Sequence, residues 1–415
     1  MNSLTKLEFK KIISNKAIKI ACAICILIVL YAVIAGITIP EYSKPNDQEK
    51  NIEYVHGFEA IKLKKEATAK YEGYLDEKKI MDIKNYNDKI KSNKSNLNDG
   101  QISDYANSKY CQPYDDISFL IMSSYSDLNT SNITIDNFKT NSVGEFYKNR
   151  VKLIESNFNV KYSNINFSKD DKKTIINFAK NLTTPLYYEY YDGWDMLITN
   201  LFEVNVAVIL ILCFCITFVY LIDYQNGMIT VVLTTVNGKS NLCKSKIKAS
   251  IIFSSLVYTI VTILHTVLIL FFYGYSGWDC PIQISSKYWL SIYNLKFYQL
   301  YLLGIIVGLC VCVFMIMCTL LFANIFKKSI LTLSMSVIVL LVPALIDTSS
   351  IPKVFRYIIE ISPIKILDIL STIKQPLTYN IFGSIQKGYI NYLFLIVISV
   401  ILIPIIYNLY RKQEI

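Results

Sequence analysis

The sequence predicts an all-α polytopic membrane protein, with six transmembrane helices and a mainly helical extracytoplasmic domain set between the first two. Three observations lead there. Over half of the 415 residues are hydrophobic (53%), and they gather in six runs at 17–39, 197–222, 249–273, 299–326, 329–347 and 390–410. Each is close to the ~20 residues that carry an α-helix across a hydrocarbon layer ~30 Å thick. The charge also divides: residues 40–195 hold 22 of the 42 Lys/Arg and 24 of the 32 Asp/Glu, so the net +10 comes from the membrane part. Basic residues beside apolar runs set orientation in a membrane, and a nucleic-acid partner is not expected. Finally, thirteen Lys/Arg fall in the segments expected inside, against seven in the two smaller outer connections. That bias puts both termini in the cytoplasm and residues 40–195 outside a plasma membrane. Heavy use of Ile, Asn, Lys and Tyr points to an AT-rich bacterial genome.

Residues 1–16 carry Leu4, Leu7, Ile12 and Ile13 among Lys6, Lys10, Lys11 and Lys16, within the stretch LTKLEFKKIISNKA at 4–17. This spacing predicts an amphipathic helix on the inner membrane surface. The run at 17–39 exceeds the usual ~7–15-residue core of a signal peptide and reads as a retained span, despite a loose cleavage-like Val33-Ile34-Ala35. In the polar segment 40–195, residues 50–95 read as an exposed helix or helical hairpin with opposite charges three and four apart, such as Glu66 and Lys70. Ser131–Asp136 favours a strand, and 169–182 a helix with an acidic first turn. Tyr288, Trp289 and Tyr293 suggest an aromatic belt before the fourth span. Residues 348–389, interrupted by Pro352 and Pro363, suit a re-entrant or interface-lying helical pair on the outer side.

The ten cysteines have no metal-ligand spacing, and seven lie in expected spans, where Cys acts as a small apolar residue. Cys111 and Cys280 are expected outside, either bridged or simply two separate thiols. No metal site, catalytic residue or bound cofactor is expected of this chain. Gly238-Lys239-Ser240 invites a phosphate-loop reading, but that motif needs Gly where Leu233 stands. His265 and Glu203 are ionisable residues inside expected spans. Each reads either as a polar residue packed in the bundle or near an interface, or as part of a translocation path.

The informative stretch is the connection 223–248 after the second span. It holds an apolar run, Met228–Val236, a turn at Asn237-Gly238, and then Lys244, Lys246 and Lys248 before the third span. That pattern predicts a helix lying along the inner membrane face, a surface on which a cytoplasmic partner can push. Asp223, Gly227-Met228-Ile229, Leu233-Thr234-Thr235, Lys239 and Lys246 together resemble the coupling segment of type-2 ABC transporter permeases, the membrane subunits of ATP-driven exporters. The family pattern has Thr at Met228, Pro at Val236 and commonly Arg at Lys239. Its elbow helix before the first span is similar to Leu7–Ile12 here, and its six-span layout to the six apolar runs.

The resemblance implies a permease exporting or extracting an amphiphilic substrate, such as a peptide, an antimicrobial or a lipid-like molecule. It implies a second permease copy or homologue, a cytoplasmic ABC ATPase dimer that binds the ATP, and surrounding membrane lipid as partners. Asp223, Gly227, Leu233, Thr234, Thr235, Lys239 and Lys246 would be the ATPase-coupling residues. The rival reading is a membrane-anchored sensor or assembly scaffold acting through its outer domain. A four-span mechanotransmitting permease or an intramembrane enzyme fits the span count and residue pattern less well.

Overall fold

The computed structural model describes residues 2–125, 138, 140–158, 167–235, 238, 240–346, 355, 359–374, 378–381, 384–387 and 391–412. A short helix α1 (Ser3–Ser14) breaks at Asn15, whose backbone is extended and whose side chain caps the next helix, α2 (Lys16–Thr38). A polar insertion follows. It opens with an antiparallel hairpin, β1 (Glu41–Asn46) and β2 (Asn51–His56), and continues through α3 (Phe58–Ala69), α4 (Glu77–Ser92), α5 (Asp115–Tyr125), α6 (Phe146–Asn157) and α7 (Lys169–Lys180). The chain then runs through α8 (Asp192–Gln225), the short α9 (Ile229–Thr234), α10 (Asn241–Tyr273), α11 (Phe297–Phe326), α12 (Ser329–Leu341) and α13 (Asn391–Arg411).

Among the described residues, five helices are long and apolar enough to cross a membrane: α2, α8, α10, α11 and α13. Burial orders them. In the most apolar stretch of α8 and of α11, 61% of residues are buried, against 28% in α2, 33% in α10 and 17% in α13. The first two therefore form the centre, and the other three turn apolar faces outward, as hydrocarbon allows. The run at 329–347 behaves differently from the expectation of a sixth full span. Its α-helix stops at Leu341 and tightens into a 3₁₀ turn over Val342–Leu345, where Pro343 cannot continue the hydrogen-bond ladder. The α-helical part rises ~20 Å and the 3₁₀ turn about 8 Å more, so Ser329–Leu345 is apolar and nearly long enough, but shorter than the ~20 residues of a full span.

Close approach at the centre depends on two glycines four apart on α11. A Cβ at Gly304 would fall 2.5 Å from the Leu201 side chain, and one at Gly308 would overlap the Tyr258 hydroxyl and the Asn205 amide. Their absence of side chains lets α8 and α10 seat against α11, the small-residue packing that stands in for hydrophobic drive in lipid. Polar pairs lock the same contact: the Tyr258 hydroxyl donates to Asn205 Oδ1 at 2.9 Å, and the Thr266 and Tyr301 hydroxyls lie 2.6 Å apart.

The insertion is mainly helical, with small two-stranded pieces at its edges. The helix expected over 169–182 is α7, started by a capping box between Ser168 and Asp171. The charged stretch 50–95 forms β2 and the helices α3 and α4, while Ser131–Asp136 lies outside the described residues. Cys111 and Cys280 are both free and buried. Tyr288, Trp289 and Tyr293 correct the expected aromatic belt: each is 1–2% exposed. Instead of facing headgroups, Trp289 packs against Phe146 of α6. Arg150, also buried on α6, donates to Trp289 O at 2.6 Å, Ser291 O at 2.5 Å and Ala179 O at 3.1 Å. The insertion is thus bolted to the connection between α10 and α11. Of the segment 348–389, the described part comprises short helices at Pro363–Leu367 and Ile369–Lys374, packed on the bundle, and a hairpin pairing Thr378–Ile381 with Ser384–Lys387.

Candidate functional site

The site is assembled at one end of the bundle, where three chain segments meet. Helix α8 is 34 residues long, so its first and last turns lie ~45 Å apart, about the full thickness of a bilayer with its headgroups. Asp192 and Asp195 occupy one end and Asp223 the other. Gly227 follows the second end with φ +68°, a left-handed conformation that stops the helix and turns the chain into α9.

Around Asp223 the fold gathers charges from separate elements. Lys246, in the second turn of α10, places Nζ 2.6 Å from Asp223 Oδ2, and Lys11 of α1 places its own 2.5 Å from Oδ1. Glu8 of α1 completes the group, 3.6 Å from Lys246 Nζ. Two cations and two anions therefore balance within a space largely closed to water: Lys246 is 4% exposed, Asp223 13%, Glu8 14% and Lys11 34%. Buried ion pairs recover their desolvation only when well paired, and here each charge has an opposite partner. The Lys246 ammonium also lies over the Tyr220 ring, 5.3 Å from its centroid, and the Tyr220 hydroxyl donates to Asn324 Oδ1 at 2.9 Å near the end of α11. The Gln225 amide donates to Ser329 Oγ at the start of α12. The charged group thus ties α1, α8, α10 and α11 together, and a separate hydrogen bond beside it ties α8 to α12. The void left among Glu8, Ile12, Tyr220 and Lys246 is about 10 Å³, at the lower limit for one water. This group is a mechanical joint, and a ligand has no room in it.

The residues singled out from the sequence separate into classes. Asp223 and Lys246 are brought together at the joint. Gly227 forms the turn beside it. Thr234 ends α9, exposed, with its hydroxyl donating to Val231 O at 2.7 Å, and Thr235 follows it, also exposed. Leu233 lies in α9, and Lys239 falls outside the described residues. Val231 (67% exposed) and Met228 (55%) present exposed apolar side chains at this same face. Glu203 and His265 stand apart from this group and from each other. Glu203 is exposed, on the face of α8 that also carries Leu210 seven residues on, whereas His265 is fully buried in α10, and neither of its ring nitrogens has a hydrogen-bond partner among the described residues.

Sequence reading missed Glu8 as a member of the joint. Its one signal was an acid in the middle of a basic helix, at Leu7-Glu8-Phe9-Lys10-Lys11. Arg150 gave no signal, because one basic residue in a charged helix looks like any surface cation. Its burial holds the guanidinium below the usual arginine range, at about 10, so it is still charged at neutral pH and needs all three carbonyls. No protein-family model matches the chain, and no curated protein matches it either.

Proposed function

We propose that this protein is the permease subunit of an ATP-driven transporter whose ATPase is a separate polypeptide bound at the face carrying α1 and α9. The observation that carries this reading is the charged joint. It fastens the short surface helix α1 to the ends of α8 and α10, beside the turn into α9. A push on α9 is therefore transmitted as a rigid displacement of α8 and α10, because buried paired charges resist separation. The exposed Val231 on α9 and Met228 in the turn before it supply an apolar contact for a partner, and the basic surroundings keep this face on the cytoplasmic side. In this reading the termini are cytoplasmic, the insertion lies outside a bacterial plasma membrane, and a second permease copy or homologue completes the pathway.

The substrate is amphiphilic. One crevice supports this, of about 310 Å³ between α10, α11 and α13, lined mainly by apolar side chains with Ser399 among them. Its volume is at the lower end of the range of small-molecule sites.

Affinity purification of the tagged protein from its native membranes in mild detergent tests the reading. A phosphate-loop ATPase should co-purify, and the pair in nanodiscs should hydrolyse ATP faster when an amphiphilic peptide is added. Val231→Glu should remove the ATPase without unfolding the permease. Recovery of the intact permease with no ATPase under any detergent condition would sink the proposal. Stimulation by ions or sugars in place of amphiphiles would sink its substrate half.

A further inference from the structure

The crevice between α2, α8 and α12 has a chemistry that goes beyond a generic hydrophobic surface. Its walls are Ala17, Ile20 and Ile24 of α2, Leu210 and Phe214 of α8, and Leu333 of α12. No wall side chain offers a charge. The mouth nearer the charged joint is different. Lys16 opens α2 and lies on the same helical stripe as Ile20 and Ile24, at four-residue spacing. Lys19 follows within one turn, and Lys327 and Lys328 form the bend immediately before α12. All four are exposed, and none has a carboxylate partner among the described residues. The Gln225–Ser329 and Lys11–Asp223 bonds hold the starts of α2 and α12 beside the same end of α8, so the four cations share one level of the membrane.

We infer that this crevice holds an anionic phospholipid, with an acyl chain along the apolar walls and its phosphate among Lys16, Lys19, Lys327 and Lys328. Each half of such a lipid meets what it requires. A cavity of about 470 Å³ takes the chain, and unpaired lysines at headgroup depth attract an anionic headgroup. A second copy of this chain is the poorer occupant. A two-fold interface sets the same patch against itself, and would bring four uncompensated lysines toward four more. The lipid locks α2 and α12 to α8 beside the joint. This inference needs only that the bundle is membrane-embedded; the transport reading enters solely in naming the leaflet as cytoplasmic.

Native mass spectrometry of the full-length protein, titrated with phosphatidylglycerol and separately with phosphatidylcholine, tests it. The wild type should retain one phosphatidylglycerol per chain under conditions that strip phosphatidylcholine, and raised salt should weaken that binding. Joint replacement Lys16→Gln, Lys19→Gln, Lys327→Gln and Lys328→Gln should lower phosphatidylglycerol affinity by about tenfold or more, leaving phosphatidylcholine unchanged. Ile24→Trp, at a half-exposed wall position, should expel the chain with every lysine in place. If the quadruple variant does not fold, Lys327→Gln with Lys328→Gln and the salt titration decide the matter. Equal binding of the two lipids by the wild type would overturn the inference. So would lysine variants that bind as the wild type does, or Ile24→Cys forming a disulfide between two copies in native membranes.

Discussion

Replacing Asp223 by Asn removes one charge from a group of four, and the structure sets how much that should cost. Lys246, 4% exposed, would keep only Glu8 at 3.6 Å and the Tyr220 ring at 5.3 Å. Lys11, 34% exposed, can turn to water. Stranding a buried charge outright costs about 3–5 kcal/mol, and Lys246 keeps its weaker pairing with Glu8, so Asp223→Asn should destabilise the protein by somewhat less, about 2–3 kcal/mol. Lys246→Met should cost about 2 kcal/mol: Asp223 retains Lys11 at 2.5 Å and Met fills the vacated space, but Glu8, 14% exposed, loses its pairing with Lys246. The exchange Asp223→Lys with Lys246→Asp gives the sharper test. In an isolated pair it would restore stability. Here it sets a lysine against Lys11 and an aspartate against Glu8, so it should be no better than the worse single variant. Adding Lys11→Glu and Glu8→Lys should recover most of the loss. Reversible unfolding in mixed detergent micelles reads all of these. If Asp223→Asn stays within about 0.5 kcal/mol of wild type, or the two-residue exchange alone restores stability, Asp223 and Lys246 are an ordinary surface pair.

Further outcomes follow from other parts of the fold. Gly308→Leu should prevent α11 from seating against Tyr258 and Asn205 and abolish folded protein on size-exclusion chromatography, whereas Ala at 308 should cost roughly 1–3 kcal/mol by overpacking. Arg150→Lys cannot reach three carbonyls with one ammonium. It should loosen the insertion from the α10–α11 connection, read as proteolysis within 140–180 at protease levels that leave wild type intact, with a loss of about 2–4 kcal/mol. Asp47 accepts hydrogen bonds from Lys109 and Tyr105, which hold its carboxyl below the usual carboxylate range. A lowered folded-state pKa gives stability that is present above the unfolded value and is lost as pH falls through the folded one. Hydrogen exchange at 46–51, corrected for intrinsic rates, should therefore rise below about pH 4, and Asp47→Asn should flatten that rise.

Much of the membrane part was legible because its signal is local. An apolar run at 197–222 carries its own instruction, and an acidic first turn at Asp170-Asp171 starts α7 wherever the rest of the chain goes. The run at 329–347 shows the limit of composition. Its residues are apolar enough for a span, yet Pro343 ends the α-helix early. The joint was half legible, since Asp223 and Lys246 flank a recognisable connection. Glu8 was not, because its partner lies 238 positions away and only the packing of α1 on α10 brings them together. Trp289 was misread for a related reason: an aromatic residue beside a span suits an interface, and burial beneath Phe146 and Arg150 is a tertiary fact. The Gly304–Gly308 pair acquires meaning only from Tyr258 and Asn205, on two other helices.

The central claim is that α9 is where a separate ATPase pushes. It is tested most directly by placing a photoactivatable amino acid at position 231, which is exposed and outside the charged joint, and irradiating native membranes. One dominant adduct is expected, between this protein and a phosphate-loop ATPase. That adduct should disappear when the same probe is moved to the exposed Phe119 of the insertion. Adducts from position 231 with lipid alone, or with the ATPase captured from position 119 instead, would contradict it.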